Sequence, residues 1–285
     1  MMTVRRSAKA ERSERRRTKG GDDPVTDTWD PRQYDKFQRE RDQPFFDLLA
    51  LVRPAPHMRV VDLGCGTGAL TRILHERLQP RETIGIDRSA RMLEDAIAAA
   101  PVPGLRFEVQ AIDAFLDGDG STHDLLFSNA VFHWIDGHAA LLERLASRLA
   151  PHGQIAFQVP ANHDHASHLV ADELSSVEPF CRALGGWRRA VTVLEPEAYA
   201  RLFFRYGFAD PIVRLIVYPH VLAGPEDVVE WTKGTLLTEY ARRLPADLFE
   251  RFVEQYRERL MARLERERPF FYPFKRILCW AQRSA

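Results

Sequence analysis

The sequence has 285 residues, enough for one α/β domain with insertions, and 45% of them are hydrophobic, so a sizeable core can form. Lys+Arg and Asp+Glu both number 40, so no overall charge favours nucleic acid or an anionic membrane surface. No apolar run approaches the ~18 residues that span a bilayer, none near the start suggests a secretory signal, and Cys65, Cys181 and Cys279 are spaced as free thiols of a reducing cytoplasm rather than as disulfides or a zinc site.

Residues 1–26 read as a basic tail. They hold Arg5, Arg6, Lys9, Arg12, Arg15, Arg16, Arg17 and Lys19 and almost no large apolar side chain, so they are expected to be disordered. Residues 27–285 read as a single domain. Phe37, Phe45, Phe46, Leu48, Leu49 and Val52 predict an amphipathic helix, ended by Pro54 and Pro56. From Arg59 strands and helices alternate. Strands are predicted at 59–63, 83–87, 105–109, 124–128 and 154–159. Leu70, Ile73, Leu74 and Leu78 mark one helix, and Leu141, Leu142, Leu145 and Leu149 mark another, stopped by Pro151-His152-Gly153. Ser89 is a predicted N-cap for a helix with Met92, Leu93, Ala96 and Ile97. Such alternation implies right-handed βαβ units and a mostly parallel sheet.

The pattern then loosens. Residues 161 to 193 read as polar loop, and the spacing of His163, His165 and His168 puts them on no single helical face, so no metal is expected there. A helix is predicted around Tyr199, Leu202 and Phe203, a strand at 211–218, helical cap structure over 225–267 and a final strand at 274–280. Segments 161–195 and 225–267 read as cap insertions that face a substrate; residues 57–160 read as the cofactor-binding core.

The most specific motif is Val60-Val61-Asp62-Leu63-Gly64-Cys65-Gly66-Thr67-Gly68, a hydrophobic strand that runs into three alternate glycines with a helix directly after. Glycines there admit unusual backbone angles and a close ligand approach. Asp87 ends the next strand about twenty residues on, where a carboxylate can accept from both hydroxyls of a ribose. A nicotinamide or flavin site uses G-x-G-x-x-G against a pyrophosphate. Here the spacing is G-x-G-x-G behind an acid. Asp62 would repel a pyrophosphate and attract the ammonium of a methionine moiety, which favours S-adenosylmethionine. Asp113, after the third strand, can accept from an adenine amino group or serve as a helix N-cap.

The glycine motif, Asp87, Asp113 and Ser128-Asn129-Ala130 together resemble a class I S-adenosylmethionine-dependent methyltransferase. The resemblance implies a Rossmann-like, doubly wound, seven-stranded sheet, mostly parallel with its last strand antiparallel, carrying helical cap insertions. It implies cofactor contacts at Tyr34, Asp62, Leu63, Gly64, Gly66, Gly68, Asp87, Arg88, Met92, Asp113, Ala114 and Asn129. A narrower resemblance, to trans-aconitate methyltransferases, is carried by Trp29-Asp30-Pro31, Tyr34, Phe37, Glu40-Arg41, Pro44, Trp134, Gln158-Val159-Pro160, Asn162, Trp231, Lys233-Gly234-Thr235 and Leu237. It implies O-methylation of one carboxylate of a small acid. Gln43 and Thr238 stand where members of that family carry arginine; Arg41, Arg188, Arg189 and Lys233 are the basic residues that can compensate.

The expected acceptor contacts are Arg41, His133, Trp134, Gln158, Trp231 and Lys233. A carboxylate acceptor is ionised at neutral pH and needs no base. A hydroxyl, nitrogen or carbon acceptor is the alternative, and His133 is then the candidate base. A cofactor-binding module without catalysis is the reading from a different class. Small-molecule chemistry in the cytoplasm, with no membrane and no nucleic-acid partner, fits the whole chain.

Overall fold

The computed structural model describes residues 38–284, with side chains from Asp42 onward. The expected tail, Trp29 and Tyr34 lie outside the described residues, as does the side chain of Arg41. A first helix, α1 (Gln38–Leu49), is followed by β1 (Arg59–Leu63), α2 (Ala69–Leu78), β2 (Glu82–Asp87), α3 (Ala90–Ala98), β3 (Leu105–Val109), α4 (Ile112–Leu116) and β4 (His123–Asn129). Then come a short 3-10 turn (Phe132–Trp134), α5 (His138–Ser147), β5 (Leu149–Pro160), α6 (Ala166–Ser175), α7 (Phe180–Ala183), α8 (Pro196–Arg205) and β6 (Phe208–Leu222). The cap helices α9 (Glu226–Lys233), α10 (Thr238–Ala241) and α11 (Ala246–Met261) precede β7 (Phe270–Arg283).

The strands form one seven-stranded sheet in the order β3-β2-β1-β4-β5-β7-β6. Strands β1 to β5 pair in parallel, and β7 runs antiparallel between β5 and β6. The order reverses between β1 and β4, so the carboxyl ends of these two strands flank the crevice where ligands bind in open α/β sheets. Neighbouring residues of a strand serve opposite faces. Val61, Leu126, Phe157 and Cys279 pack with α5 and α8 on one face. Val60, Leu125, Ala156 and Trp280 pack with α1 and α2 on the other. Both faces are thus covered, which is why these strands read as continuous apolar runs.

A third cluster joins the cap helices to the end of β6 and the start of β7. Val170 and Leu174 of α6, Trp231 of α9, Tyr240 of α10, and Phe252 and Tyr256 of α11 share it with Phe270 and Tyr272. Residues 161–193, expected as polar loop, therefore carry α6 and α7. Val170, Ala171 and Leu174 bury one side of α6, and the His165 ring caps that helix by accepting from the Ser167 amide at 3.1 Å. The cap interval 225–267 divides into three helices. Strand β5 starts at Leu149 rather than at 154, with a register irregularity opposite 123–125 and His152 at φ 60°.

Candidate cofactor and acceptor site

The glycine loop leaves β1 and doubles back over β2. The amides of Gly64 and Cys65 both donate to the Ile86 carbonyl, at 2.8 and 2.9 Å. Gly64, Gly66 and Gly68 take φ of 78°, 57° and 74°, where a Cβ is costly. Space is short as well. A Cβ on Gly64 would lie 2.5 Å from a Val131 methyl carbon, and one on Gly68 would lie 2.6 Å from the Phe107 ring. The third glycine directly precedes α2, so the loop and the helix form one rigid turn.

Two acids frame this loop. Asp87, at the end of β2, accepts from the Gly66 amide with Oδ2 and from the Ser89 amide with Oδ1, both at 2.9 Å. Each oxygen keeps a further lone pair for a hydroxyl donor. Asp62 is 3% exposed; its Oδ2 accepts from the Thr71 hydroxyl at 2.6 Å and its Oδ1 is buried with no partner. Burial pushes the Asp62 carboxyl up to about 7, against the Thr71 hydrogen bond and helped by the Asp87 charge. Burial, with the charges of the same two acids, pushes the Cys65 thiol up. A buried carboxylate with an orphan oxygen is costly unless a donor, best a cation, completes it. The loop therefore fits a ligand with an ammonium group and a ribose, and it rejects a pyrophosphate.

The carboxyl ends of β4 and β5 and the facing part of β7 carry a polar row. The Arg276 guanidinium donates to Gln158 Oε1 at 3.1 Å, and Gln158 Nε2 donates to Asn129 Oδ1 at 2.7 Å. Gln158 and Arg276 are buried, and Arg276 stacks over Phe274. Ala130, at φ 58°, then turns the chain sharply into the 3-10 turn that carries His133 and Trp134. The Thr192 hydroxyl donates to the His133 carbonyl at 2.9 Å. Burial, Arg276 and Arg189 hold the imidazole of His133 well below the usual histidine range.

Residues 37–210 match the family described as methyltransferase domain. The chain is 43% identical over 262 residues to the trans-aconitate 2-methyltransferase of Deinococcus radiodurans, covering 90% of this chain and 98% of that one. It is 38% identical over 264 residues to the protein of that name from Streptomyces avermitilis, with 90% and 98% covered. The chain belongs to the methyltransferase domain family. Its methyl donor is S-adenosylmethionine, in keeping with the acid-framed glycine loop. Among solved structures, the YcgJ protein of Bacillus subtilis is similar in fold, with a TM-score of 0.58 at 17% identity over 85% of this chain and 99% of that one. Phosphoethanolamine N-methyltransferase 2 of Haemonchus contortus, with a TM-score of 0.51 at 15% identity over 86% of this chain and 53% of that one, shares the fold.

In this methyltransferase the expected site residues fall into groups. Asp62, Gly64, Gly66, Gly68 and Asp87 converge on the loop, and the Met92 methyl carbon lies 3.3 Å from where a Gly66 Cβ would be. The Leu63 side chain belongs to the core, so only its backbone faces the loop, and its carbonyl accepts from Ser128 Oγ at 2.9 Å. Arg88 and Ala114 are exposed. Asp113 is not the N-cap of α4, which is Ala111; its carboxylate pairs with Arg144 at 3.0 Å and is 77% exposed.

Among the expected acceptor contacts, Gln158 bonds to Asn129, an expected cofactor contact, at 2.7 Å, and Trp134 is half exposed with its ring 4.6 Å from that of His133. Trp231 is different. It is 2% exposed, packed against His220 and Phe274 inside the cap cluster. Lys233 pairs with Glu230 at 2.9 Å, and Gln43 donates to Asp47 at 2.8 Å. Arg276 was not legible as a site residue. It comes from the last strand, far from every motif in sequence, and only its antiparallel register opposite Pro160 brings it to the rim. Among the described residues no group of His, Cys, Asp and Glu is placed to hold a metal, and no helix is long and apolar enough to cross a membrane.

Proposed function

We propose that this methyltransferase esterifies one carboxylate of a small polycarboxylic acid of the trans-aconitate kind. The observation that carries the reading is the cationic acceptor end: Arg276 and Arg189 both act on His133 electrostatically, and burial keeps that histidine neutral and weakly basic. A site of this charge attracts a polyanion, and an ionised carboxylate is its own nucleophile. The curated relatives that cover nine-tenths of the chain, each bearing the name trans-aconitate 2-methyltransferase, support the same class of acceptor.

When bound, S-adenosylmethionine supplies an electrophilic methyl group next to a good leaving group. The work left to the protein is to hold, align and exclude water. In this reading Asp62 receives the ammonium, Asp87 the ribose hydroxyls and Met92 packs beside the adenine. The backbone at Leu63, Gly64, Gly66 and Gly68 allows close approach, with Asn129 at the rim. Arg88 and Ala114 flank the adenine side. Asp113 offers an adenine amino group its carboxylate, whose Oδ1 pairs with Arg144; that exposed pair is worth about 0–1 kcal/mol and adjusts cheaply. Tyr34 and Arg41 complete the site from the N-terminal side, and Trp134 and Gln158 border the acceptor. Residues 57–160 act as the cofactor core, and 161–195 with 225–267 as the substrate cap. The three free cysteines support a cytoplasmic setting.

The test is a labelled methyl-transfer screen over polycarboxylates, fatty acids, phenols and amines. A base-labile product formed from trans-aconitate is expected. A base-stable product from a phenol or amine, with no transfer to any acid, would overturn the reading.

A further inference from the structure

A small cavity opens on the cap side of His133. It is lined by His133, Pro160, Asn162, His168, Arg189 and Thr192, among others, and by no residue of the glycine loop. Its charge balance is unusual for this part of the surface. Arg188 pairs with Asp172, Arg182 with Glu178 at 3.4 Å, Lys233 with Glu230 at 2.9 Å and Arg243 with Glu239 at 2.7 Å. Arg189 is half buried and makes no salt bridge among the described residues; burial lowers its pKa, with Glu239 and Tyr240 acting only at longer range.

The walls of the cavity repeat this imbalance. His133 Nδ1 is buried with no partner. His168 is pushed down to about 3 by burial and by Arg189, so it stays neutral and adds no charge. Val191 and Val193 close one side. A half-buried guanidinium without a carboxylate, beside an unsatisfied imidazole nitrogen, costs free energy in the empty protein. A planar carboxylate repays that cost, because it matches the guanidinium fork and accepts from further donors.

We propose that Arg189 is a specificity-determining residue that holds a carboxylate of the acceptor other than the one being methylated. The inference rests on the reading of the acceptor as a polycarboxylic acid. The position of the cavity sets the division of labour. The methyl donor belongs to the glycine loop and the Asn129 rim, and the cavity lies beyond His133, on the cap side. The Thr192 hydroxyl, bonded to the His133 carbonyl, ties the Arg189 segment to the loop after β4 and fixes the spacing between the two ends. Monocarboxylic acids leave Arg189 unanswered, so the site discriminates by the number of carboxylates.

The experiment compares wild type, R189Q, R189K and R188Q on trans-aconitate and on crotonate, a monocarboxylic acid. R189Q is expected to raise KM for trans-aconitate ~10- to 100-fold with kcat within about threefold, the signature of lost uniform binding. Its kcat/KM on crotonate stays within about twofold of wild type, as does R188Q on both acids. R189K keeps the charge but not the fork, and is expected to raise KM on trans-aconitate ~3- to 10-fold. An unchanged KM for trans-aconitate in R189Q, or equal losses on both acids, would overturn the proposal. Cofactor affinity, measured on each variant, controls for folding; if R189Q loses it, R189K decides, and an unchanged KM there overturns the proposal. If wild type methylates no acid, the proposed function fails on its own. Calorimetric binding of trans-aconitate then decides this inference: binding lost in R189Q sustains it, and absent or unaltered binding overturns it.

Discussion

The Thr71 hydroxyl donates to Oδ2 of Asp62 at 2.6 Å and leaves Oδ1 of the same carboxylate buried without a partner. One hydrogen bond does not offset the loss of water around a charge, so burial pushes the carboxyl from the usual carboxylate range up to about 7. The raised value means that the folded, cofactor-free protein binds this proton more tightly than the unfolded chain. The associated stability is fully present below pH ~4 and is lost as pH rises through about 7.

Asp62→Asn is expected to flatten this slope. Chemical denaturation of the cofactor-free protein at several pH values between 4 and 8 measures it. Affinity for S-adenosylmethionine should rise with pH through about 7 in the wild type, because the ammonium needs the ionised carboxylate. D62N should bind ~10- to 100-fold more weakly at pH 8 and lose that dependence. Equal pH profiles for the two proteins would count against the role given to Asp62.

Gly64→Ala tests the loop. The residue holds φ of 78°, and its new methyl group would meet Val131 at 2.5 Å. The backbone alone costs ~1–2 kcal/mol for an L-residue in this region, and the contact adds to it. A fall in the urea midpoint and a loss of cofactor affinity are expected. Val131→Ala in the same chain should restore part of the stability, since it removes the steric term and leaves the backbone term.

His133→Ala separates acceptor chemistries. The imidazole lies well below the usual histidine range because of burial, Arg276 and Arg189. With a carboxylate acceptor, kcat should stay within about fivefold of wild type and the pH profile should show no histidine limb between pH 6 and 8. A hydroxyl or amine acceptor that relied on His133 as a base would instead lose ~10²-fold or more. Steady-state kinetics on the best acceptor decides between them.

Gln158→Leu breaks the row between β7 and β4. Gln158 Oε1 accepts from Arg276 at 3.1 Å, both buried, and its amide donates to the half-buried Asn129 at 2.7 Å. Removing it takes one acceptor from the buried Arg276 guanidinium and the donor from Asn129 Oδ1, at a cost of about 1–3 kcal/mol in stability. KM for the acceptor should rise as well, because Arg276 loses one of the bonds that orient it. A variant with wild-type stability and KM would show that the row is incidental.

Much of the cofactor end was legible in the sequence. A strand, three alternate glycines and a helix start lie within a few residues, and Asp87 lies one βαβ step away, so local spacing alone brings them together. Alternating apolar runs fixed the doubly wound sheet for the same reason: each run is read locally, and right-handed crossovers leave little choice of topology. The cap was less legible. Helix α6 hides its apolar side, Val170, Ala171 and Leu174, among polar and histidine residues, and becomes helical against α11 and Tyr272, which lie roughly ninety residues further along.

The acceptor end was decided by tertiary structure. Trp231 reads as a pocket aromatic and is instead enclosed by His220, Tyr272 and Phe274, because two strands, β6 and β7, close around it. Asp113 is drawn to Arg144 of the next helix on the same face. Arg276 reaches the site only through the antiparallel pairing of β7 with β5, and Arg189 stands out from its neighbour Arg188 because Asp172 answers one and, among the described residues, no acid pairs with the other. Sequence spacing determined the glycine loop and its acids, since their contacts are short-range along the chain. Which charges are neutralised and which are left for a ligand depends on contacts between separate elements, from 16 residues apart for Arg188 and Asp172 to 118 for Gln158 and Arg276, and only the folded chain sets those.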